Sequence, residues 1–325
     1  VIISLPVMVL AAAAEKDIPL GFTAPLFARI PIALDALAFY LKKLFLPFGL
    51  GIDYGRTPAL LLDQGRLRYT WIVLPLLAAF LLALKDRRRW LAGLGIFAFG
   101  VLPTLGLVPH GYQVFSTVAD RFLYLSMIGP ALVLAWFAFS RKGAWALIVS
   151  GAILLFLAAV CLVQSRYWSD NRRLFQRAIA VNPESYMAWY NLGLTRAGEG
   201  DAEKAEAAYR RAGEIKPDYG RAYNNLGAVL TERGKYREAI RYYEQALRLE
   251  PGNKRAHFNL YRAHDDLGNR LAARGELEKA AAHYRTAIEI NPGYVEGFNN
   301  LGAVLARMGD KEEAEACFSR ALELN

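Results

Sequence analysis

The sequence predicts an all-α protein in two parts, a polytopic transmembrane helix bundle followed by an α-solenoid of repeated helix pairs. The first half is apolar and contains several stretches long enough to cross a bilayer. The second half repeats an Asn-Leu-Gly motif at a fixed interval. Charge is uneven as well, because residues 1–164 carry 14 Lys and Arg against 7 Asp and Glu, whereas residues 165–325 carry 25 against 23.

The basic excess therefore belongs to the apolar half. A nucleic-acid-binding protein would carry a basic stripe on its soluble half, so no nucleic acid is expected as a partner. Lys and Arg gather instead in the cytoplasmic loops of membrane proteins, which suits this distribution. Cys161 and Cys317 are isolated, one in each half, and make neither a disulfide framework nor a metal motif.

Residues 1–164 are predicted to form a transmembrane domain of about five to six spans, since a span needs about 20 apolar residues. The predicted spans are Trp90–Val108, Phe122–Phe139, Ala144–Val163, the slightly short Tyr69–Leu84 and the partial Val1–Ala14. The stretch Ala33–Phe48 either crosses the membrane with Lys42 and Lys43 snorkelling or lies in the interface. Because Val1 stands inside an apolar run, we expect the first span to be truncated.

The short loops predict an orientation for an integral membrane protein of the bacterial inner membrane, or of the endoplasmic reticulum in a eukaryote. KDRRR at 85–89 and RK at 141–142 are expected to be cytoplasmic. Alternation then places the C-terminal repeats outside the cytoplasm. Three arginines in the 49–70 loop, which the same scheme places outside, oppose this orientation.

Residues 184–325 are predicted to hold four repeats, each a pair of helices whose apolar faces are buried by stacking. The motif recurs as Asn191-Leu192-Gly193, Asn225-Leu226-Gly227, Asn300-Leu301-Gly302 and the variant Asn259-Leu260-Tyr261. The second helix repeats an alanine at Ala205, Ala239, Ala280 and Ala314, and an aromatic residue at Tyr209, Tyr243, Tyr284 and Phe318. The turn glycines are Gly200, Gly234, Gly275 and Gly309.

These positions resemble the consensus of the tetratricopeptide repeat (TPR). The third repeat is seven residues longer than the others, which is about two helical turns. We therefore predict helices about two turns longer near Asp265–Arg274, protruding from the array. Residues 165–183 are predicted to form a junction whose segment YWSDNRRLFQRAIAVNP resembles the second half of a repeat and caps the array.

In a TPR the first helix of each pair lines the concave face, so the four motif asparagines form a candidate peptide-binding ladder. An amide offers both a donor and an acceptor to a peptide backbone. The set Asn191, Asn225, Asn259 and Asn300 is similar to the asparagine ladder of the nucleocytoplasmic O-GlcNAc transferases; alternatively these residues simply face water. The remaining candidates on this face are Tyr190, Phe258, Arg221, Asn224, Arg262, Asp265 and Asn299.

The segment 102–130 contains the most unusual charges of the apolar half, where Asp120 and Arg121 enter a predicted span. Arg121 is a candidate for holding a lipid-linked phosphate, with Asp120 orienting it and Tyr124 sharing its face. The alternative is that Asp120 caps the helix, Arg121 snorkels to the headgroups and Tyr124 belongs to the aromatic belt.

The segment ADRFLYLSMIG (119–129) resembles a motif of polytopic, GT-C-like membrane glycosyltransferases with a C-terminal TPR array. These include the transmembrane O-mannosyltransferases with TPR tails and their bacterial relatives. AFYLKKLFLPFGLGIDY (38–54) is similar to a second stretch of the same proteins. Phe122 and Ser126 depart from the family pattern, which usually has Tyr and Pro there.

The resemblance implies an enzyme that takes a sugar from a polyprenyl- or dolichyl-phosphate carrier and places it on an acceptor outside the cytoplasm. Membrane lipid, the lipid-linked sugar and a protein or peptide in the TPR groove would be its partners. The family's acidic catalytic loop, with its role as base or as ligand of a divalent metal, would lie upstream of Val1. We therefore name no catalytic residue, metal ligand or cofactor in this chain.

A non-enzymatic scaffold is the competing interpretation, in which the apolar half only anchors a TPR array that assembles other proteins. A pure anchor needs one span and has no use for a charged pair such as Asp120 and Arg121, which favours the enzyme. The histidines give no metal motif, although His257 and His264 are two turns apart on one predicted helix.

Overall fold

The computed structural model describes residues 24–47, 49–50, 53–63, 72–83, 86–102, 105, 126–140 and 144–324. Within these ranges every regular element is helical. The chain divides into two compact units, Val1–Ser185 and Tyr186–Asn325. We treat each unit by itself.

Seven described helices belong to the first unit and eight to the second. The first unit has α1 Leu26–Phe45, α2 Pro58–Asp63, α3 Val73–Ala83, α4 Arg87–Val101, α5 Ile128–Ser140, α6 Ala144–Trp168 and α7 Asn171–Val181. The second has α8 Tyr186–Gly198, α9 Ala202–Ile215, α10 Gly220–Glu232, α11 Tyr236–Leu249, α12 Lys254–Ala273, α13 Leu277–Ile290, α14 Val295–Met308 and α15 Lys311–Leu324.

Among the described helices, α6 alone is long and apolar enough to cross a membrane. It has 25 residues, and only 11% of its most apolar stretch is buried, so its side chains face outward as those of a lipid-exposed helix do. It contains the predicted span Ala144–Val163 and continues to Trp168. The other predicted spans overlap the shorter helices α3, α4 and α5, and Val1–Ala14 lies outside the described residues.

Helix α1 begins seven residues before the predicted stretch Ala33–Phe48, and its charged residues do not share one environment. Asp35 is buried and forms an ion pair with Arg56, because a buried carboxylate needs a counter-charge. Lys43 lies 5.0 Å from the Tyr54 ring centroid and donates to the Gly49 carbonyl at 3.0 Å. Lys42 is exposed.

Helices α4 and α5 approach closely at glycines, since a Cβ added to Gly129 would lie 2.1 Å from the Gly93 carbonyl oxygen. Near the start of α4, the Arg89 guanidinium lies 4.7 Å from the Trp136 ring of α5. Phe137 of α5 in turn contacts Trp145 of α6, with ring centroids 5.4 Å apart. The beginning of α4, the end of α5 and the beginning of α6 therefore lie at one end of this helix cluster.

The segment between α1 and α2 packs against the last residues of the first unit. Arg177 of α7 donates to the Leu50 carbonyl at 3.3 Å, and Ser185 hydrogen-bonds to Asp53. Gly55 lies so close to Asn182 that a Cβ would be 2.7 Å from its side-chain nitrogen. The last residues of the first unit thus lie beside Leu50, Asp53 and Gly55.

The second unit consists of four helix pairs held by an aromatic residue that fills the space over a glycine. A Cβ added at each motif glycine would lie 2.6 to 2.8 Å from the ring of the second helix. The pairs are Gly193 with Tyr209, Gly227 with Tyr243, Gly268 with Tyr284 and Gly302 with Phe318. The tight turn between paired helices is made by glycines with positive φ, at Gly200, Gly234, Gly275 and Gly309.

The third repeat is longer in its first helix only, which corrects the prediction of longer paired helices. Helix α12 has 20 residues against 13 or 14 in the other first helices, whereas α13 has 14 residues, as α9, α11 and α15 do. Asp265, Leu267 and Leu271 are buried, so the segment Asp265–Arg274 does not protrude. The added turns lie at the start of α12.

The position of Gly268 shows that the third repeat's motif, predicted at Asn259-Leu260-Tyr261, has a second copy seven residues later. Gly268 packs on Tyr284 as Gly193 packs on Tyr209, so Asp266-Leu267-Gly268 is the third copy for contacts within the repeat. Asn259 keeps the motif spacing from the preceding proline. Because seven residues are about two helical turns, both segments lie on one face of α12.

Candidate protein-binding face of the repeats

The four first helices, α8, α10, α12 and α14, share a face that we call the first-helix face. Hydrogen bonds connect these helices in a regular row, each from an asparagine to the residue 35 positions earlier. The bonds run from Asn225 to the Tyr190 hydroxyl at 3.1 Å, from Asn259 to Asn224 at 3.1 Å and from Asn300 to Asp265 at 2.8 Å. Three of the four motif asparagines therefore tie their repeat to the preceding one.

Asn191 behaves differently, because its amide donates to the Met187 carbonyl of its own helix at 2.8 Å. The carbonyl oxygens of Asn259 and Asn300 have no donor among the described residues. All four asparagines are half-buried, so they do not simply face water. Binding of a peptide backbone by these asparagines stays a prediction. The amide nitrogens of Asn259 and Asn300 already bond to the preceding repeat, so a peptide would have to donate to their side-chain carbonyl oxygens.

Two aromatic clusters lie along this face, at equivalent places in the first and third repeats. Tyr190 contacts Tyr219 with ring centroids 5.1 Å apart, and Tyr186 contacts the same ring at 5.1 Å. In the third repeat Tyr261 contacts Tyr294 at 4.8 Å, and Phe258 contacts Tyr261 at 5.3 Å. Tyr186 and Tyr261 hold corresponding positions when the repeats are aligned on Gly193 and Gly268.

Phe258 is the most exposed large apolar side chain of the described first helices, with 51% of its surface accessible. Exposed apolar surface bordered by polar groups commonly marks an interaction site. Arg262, four residues further along α12, is exposed, as are Arg221 and Asn299 on the neighbouring first helices. The arrangement is suited to a side chain that buries an apolar part against Phe258 and meets polar groups at its edges.

Burial is the largest cause of the pKa shifts of Tyr219 and Asp266 near this face. Desolvation raises the pKa of Tyr219 to about 12, so its hydroxyl stays protonated and available as a donor near neutral pH. Burial and the neighbouring charge of Asp265 also raise the pKa of Asp266, although Arg262 opposes this shift. Asp265 is buried and accepts from Asn300 and from Asn269, the latter at 3.0 Å.

The candidate lipid-phosphate residues Asp120, Arg121 and Tyr124 lie outside the described residues. In the part of the chain that is described, no group of three or more His, Cys, Asp or Glu side chains is placed to hold a metal ion. The divalent metal allowed by the family resemblance thus has no site assigned to it here.

Family profiles agree with the repeat geometry. Two profiles described as "Tetratricopeptide repeat" match, one at residues 162–220 and the other at 220–253 and 295–325, and a third, described as "TPR repeat", matches residues 268–309. The C-terminal half is a TPR array. TPR arrays act as protein-interaction domains, which agrees with a protein or peptide as ligand of the first-helix face.

The chain is also similar in part to curated proteins. It is 33% identical over 131 residues to Protein O-mannosyl-transferase TMTC4 of Mus musculus, and 31% identical over 130 residues to the protein of that name from Homo sapiens. Each match covers 38% of this chain and 17% of the relative, so the matched part spans about a sixth of the relatives' length.

Two solved structures are similar to part of this chain at low identity. MamA of Desulfovibrio magneticus RS-1, residues 41 to the end, is 21% identical with a TM-score of 0.37, covering 53% of this chain and 93% of that one. YrrB, described as a TPR protein with an unusual peptide-binding site, is 19% identical with a TM-score of 0.38, covering 59% and 92%.

Several interacting residues of the TPR array were not among the sequence candidates. Tyr219, Tyr261 and Tyr294 were missed, although Tyr219 and Tyr294 both stand two residues after a repeat proline, a signal that marks them. Asp266 was not a candidate because the motif of the third repeat was placed by counting forward from Pro251, which gives Asn259. Counting back from the turn glycine Gly275, as from Gly200 to Asn191 in the first repeat, gives Asp266.

The asparagine bonds predict unequal effects of two similar substitutions. Asn300→Ala is expected to lower the free energy of unfolding of the TPR array by about 1–3 kcal/mol, because the buried Asp265 loses a donor. Asn191→Ala, which breaks a bond only within α8, is expected to change it by less than about 0.5 kcal/mol. Urea titration with pulse proteolysis measures both, and equal losses would contradict the bonding scheme.

Proposed function

We propose that this chain is the C-terminal portion of a polytopic membrane glycosyltransferase whose TPR array binds the acceptor protein. The enzyme takes a sugar from a polyprenyl- or dolichyl-phosphate carrier and transfers it outside the cytoplasm. The observation that carries the proposal is the 33% identity to Protein O-mannosyl-transferase TMTC4 over 38% of the chain, in a chain that also has one described helix long and apolar enough to cross a membrane. The carrier lipid and the sugar are proposed as substrates that bind to the first unit.

The described part of the first unit supports the proposed topology. The contacts Arg89–Trp136 and Phe137–Trp145 bring the start of α4, the end of α5 and the start of α6 to one end. The basic loops 85–89 and 141–142 adjoin these positions, as expected for two cytoplasmic loops. The other end of α6 leads through α7 to Ser185, which hydrogen-bonds to Asp53. We propose that Asp53 and the C-terminal end of α6 lie on the extracytoplasmic side, and that the array is outside the cytoplasm.

Arg121 is proposed to hold the lipid-linked phosphate, since its paired N–H donors match phosphate oxygens. Asp120 is proposed to orient Arg121, and Tyr124 is proposed to share its face, as their spacing in the sequence predicts. The phosphate is the leaving group when the sugar passes to the acceptor. A guanidinium beside it stabilises the charge that develops there in a water-poor site. The acceptor is held meanwhile on the first-helix face, through Tyr190, Phe258 and the spare amide acceptors.

The proposal is tested in membranes that contain the natural gene product of which this chain is part. Wild-type membranes are expected to transfer mannose from synthetic polyprenyl-phosphate mannose to protein. Arg121→Ala is expected to reduce the rate by about 100-fold or more. Arg141→Ala, in the predicted cytoplasmic loop, is the control and keeps the rate. Full activity in Arg121→Ala would remove the proposed role of Arg121.

The second candidate function is a membrane-anchored TPR scaffold without enzymatic activity. It is favoured by one observation: among the described helices α6 alone meets the length and composition of a span, and an anchor needs one. The same assay separates the two functions. Wild-type membranes that transfer no sugar from mannosyl, glucosyl or N-acetylglucosaminyl polyprenyl phosphates would favour the scaffold over the enzyme.

A further inference from the structure

The third TPR contains a pair of histidines where the other repeats have residues that do not titrate near neutral pH. His264 of α12 and His283 of α13 approach with their Nδ1 atoms 3.0 Å apart and their ring centroids 5.2 Å apart. His264 is buried, with 8% of its surface exposed, and His283 is half-buried. The pair joins the two helices of one repeat.

Equivalent positions show what the pair replaces. Aligned on the motif glycine and on the repeated alanine, the corresponding pairs are Trp189 with Ala208, Tyr223 with Tyr242, and Phe298 with Cys317. In the second repeat the two tyrosines stack with ring centroids 6.1 Å apart and an angle of 6°. The third repeat therefore places two titratable rings at a junction that needs only an aromatic contact.

A hydrogen bond between two Nδ1 atoms requires that one of them carries a proton and the other does not. The bond is compatible with two neutral imidazoles, or with one imidazolium and one neutral ring. It is incompatible with two imidazolium rings, because two N–H groups would then face each other at 3.0 Å. Adding the second proton must separate the rings.

We infer that the His264–His283 pair is an acid-sensitive latch that opens the packing of α12 on α13 when both rings become protonated. The latch is independent of the enzymatic proposal, since it belongs to the array itself. Asp265, next to His264, accepts the bond from Asn300 of the fourth repeat. Opening α12 would therefore also loosen the first-helix face, and pH would control ligand binding there.

The surroundings of the pair disfavour protonation. Burial lowers the pKa of His264 to about 4, with a further contribution from His283. Burial and the charge of Arg237 on α11 lower the pKa of His283. Neither ring forms an ion pair with a carboxylate among the described residues, and on α12 Asp265 is engaged by Asn269 and Asn300.

The sign of the pH effect follows from these directions. Because the pKa in the folded state lies below the ordinary value of 6.5, the latch is fully closed above pH 6.5 and is lost as the pH falls toward about 4. Opening takes up at least one proton. The open fraction is therefore expected to rise at least about tenfold per pH unit in that window.

Hydrogen exchange of the full chain in detergent, read by mass spectrometry, tests the latch. After correction for intrinsic exchange, amides of α12 and α13 are expected to exchange at least about tenfold faster at pH 5.5 than at pH 6.5. Amides of α8 and α9, whose repeat has Trp189 and Ala208, serve as the internal control and keep a constant corrected rate.

Two variants remove the titratable rings while copying pairs from this chain. H264Y/H283Y reproduces the tyrosine pair of the second repeat, and H264W/H283A reproduces the pair of the first. Each is expected to abolish the acid-dependent exchange of α12 and α13. If either folded variant retains the wild-type pH profile, or if the wild-type protein shows no acceleration, the latch is overturned.

Discussion

Tyr243→Ala is expected to lower the free energy of unfolding of the TPR array by about 3–5 kcal/mol, which is the usual cost of removing a fully buried aromatic ring. Tyr243 is 2% exposed and fills the space over Gly227. Its hydroxyl also lies 3.2 Å from Thr231 Oγ1. The substitution leaves a cavity between two helices and removes one of the two hydrogen bonds of the Thr231 hydroxyl, which keeps its bond to the Gly227 carbonyl at 3.0 Å. Hydrogen exchange of α10 amides in the full chain measures the loss.

Phe318→Ala is the matched control for this prediction. Phe318 holds the same consensus position over Gly302 but is 39% exposed. Less apolar surface is therefore returned to water, and a loss of about 1 kcal/mol is expected. Equal losses in the two variants would contradict the prediction that the free energy contributed by each aromatic ring depends on how deeply it is buried.

Glu206→Gln is expected to lower the free energy of unfolding by about 2 kcal/mol at pH 7, because it weakens a network of charge-assisted hydrogen bonds. Glu206 is 8% exposed and accepts from Arg210 at 2.7 Å, with Arg233 and Lys235 as further ion partners. The network joins α9 to the connection between α10 and α11, where Arg233 and Lys235 lie. The three cations are each about a third exposed, so solvent screening keeps the loss below that of a fully buried pair.

The same network predicts a pH dependence. Burial alone would raise the pKa of Glu206, but the hydrogen bond from Arg210 and the charges of Arg210, Lys235 and Arg233 outweigh it and hold the pKa below its ordinary value of 4.5. The stabilisation is thus fully present above pH 4.5 and is lost as the pH falls through the lowered pKa. Wild type and Glu206→Gln should converge below that pH in urea titrations.

Glu315→Gln tests whether the loss of stability in Glu206→Gln comes from the ion pairs of Glu206 or from its position in the repeat. Glu315 occupies the equivalent place in the fourth repeat but is exposed and forms no ion pair among the described residues. A change of less than about 0.5 kcal/mol is expected at pH 7. A loss as large as that of Glu206→Gln would show that the ion network contributes little.

Much of the array was predictable from the sequence because the helix pairing and the turns depend on residue types at fixed positions within each repeat. Alanine and glycine at fixed places permit close helix packing, and the turn glycines adopt positive φ at all four predicted positions. The alanines Ala205, Ala239 and Ala280 are completely buried. The prediction of TPR repeats is confirmed by the family profiles. The lipid-phosphate residues stay a prediction, since they lie outside the described residues.

The sequence by itself determined the helix pairs, the turns and the residues that fill each junction, because these depend on neighbours within one repeat. Only the tertiary structure decided which of two equivalent segments of α12 meets each neighbour. Asn259 contacts the second repeat and Asp265 the fourth, and helical periodicity cannot separate positions two turns apart. The direction of the asparagine amides and the pairing of His264 with His283 were likewise set by contacts between helices, which a repeating pattern along one chain does not encode.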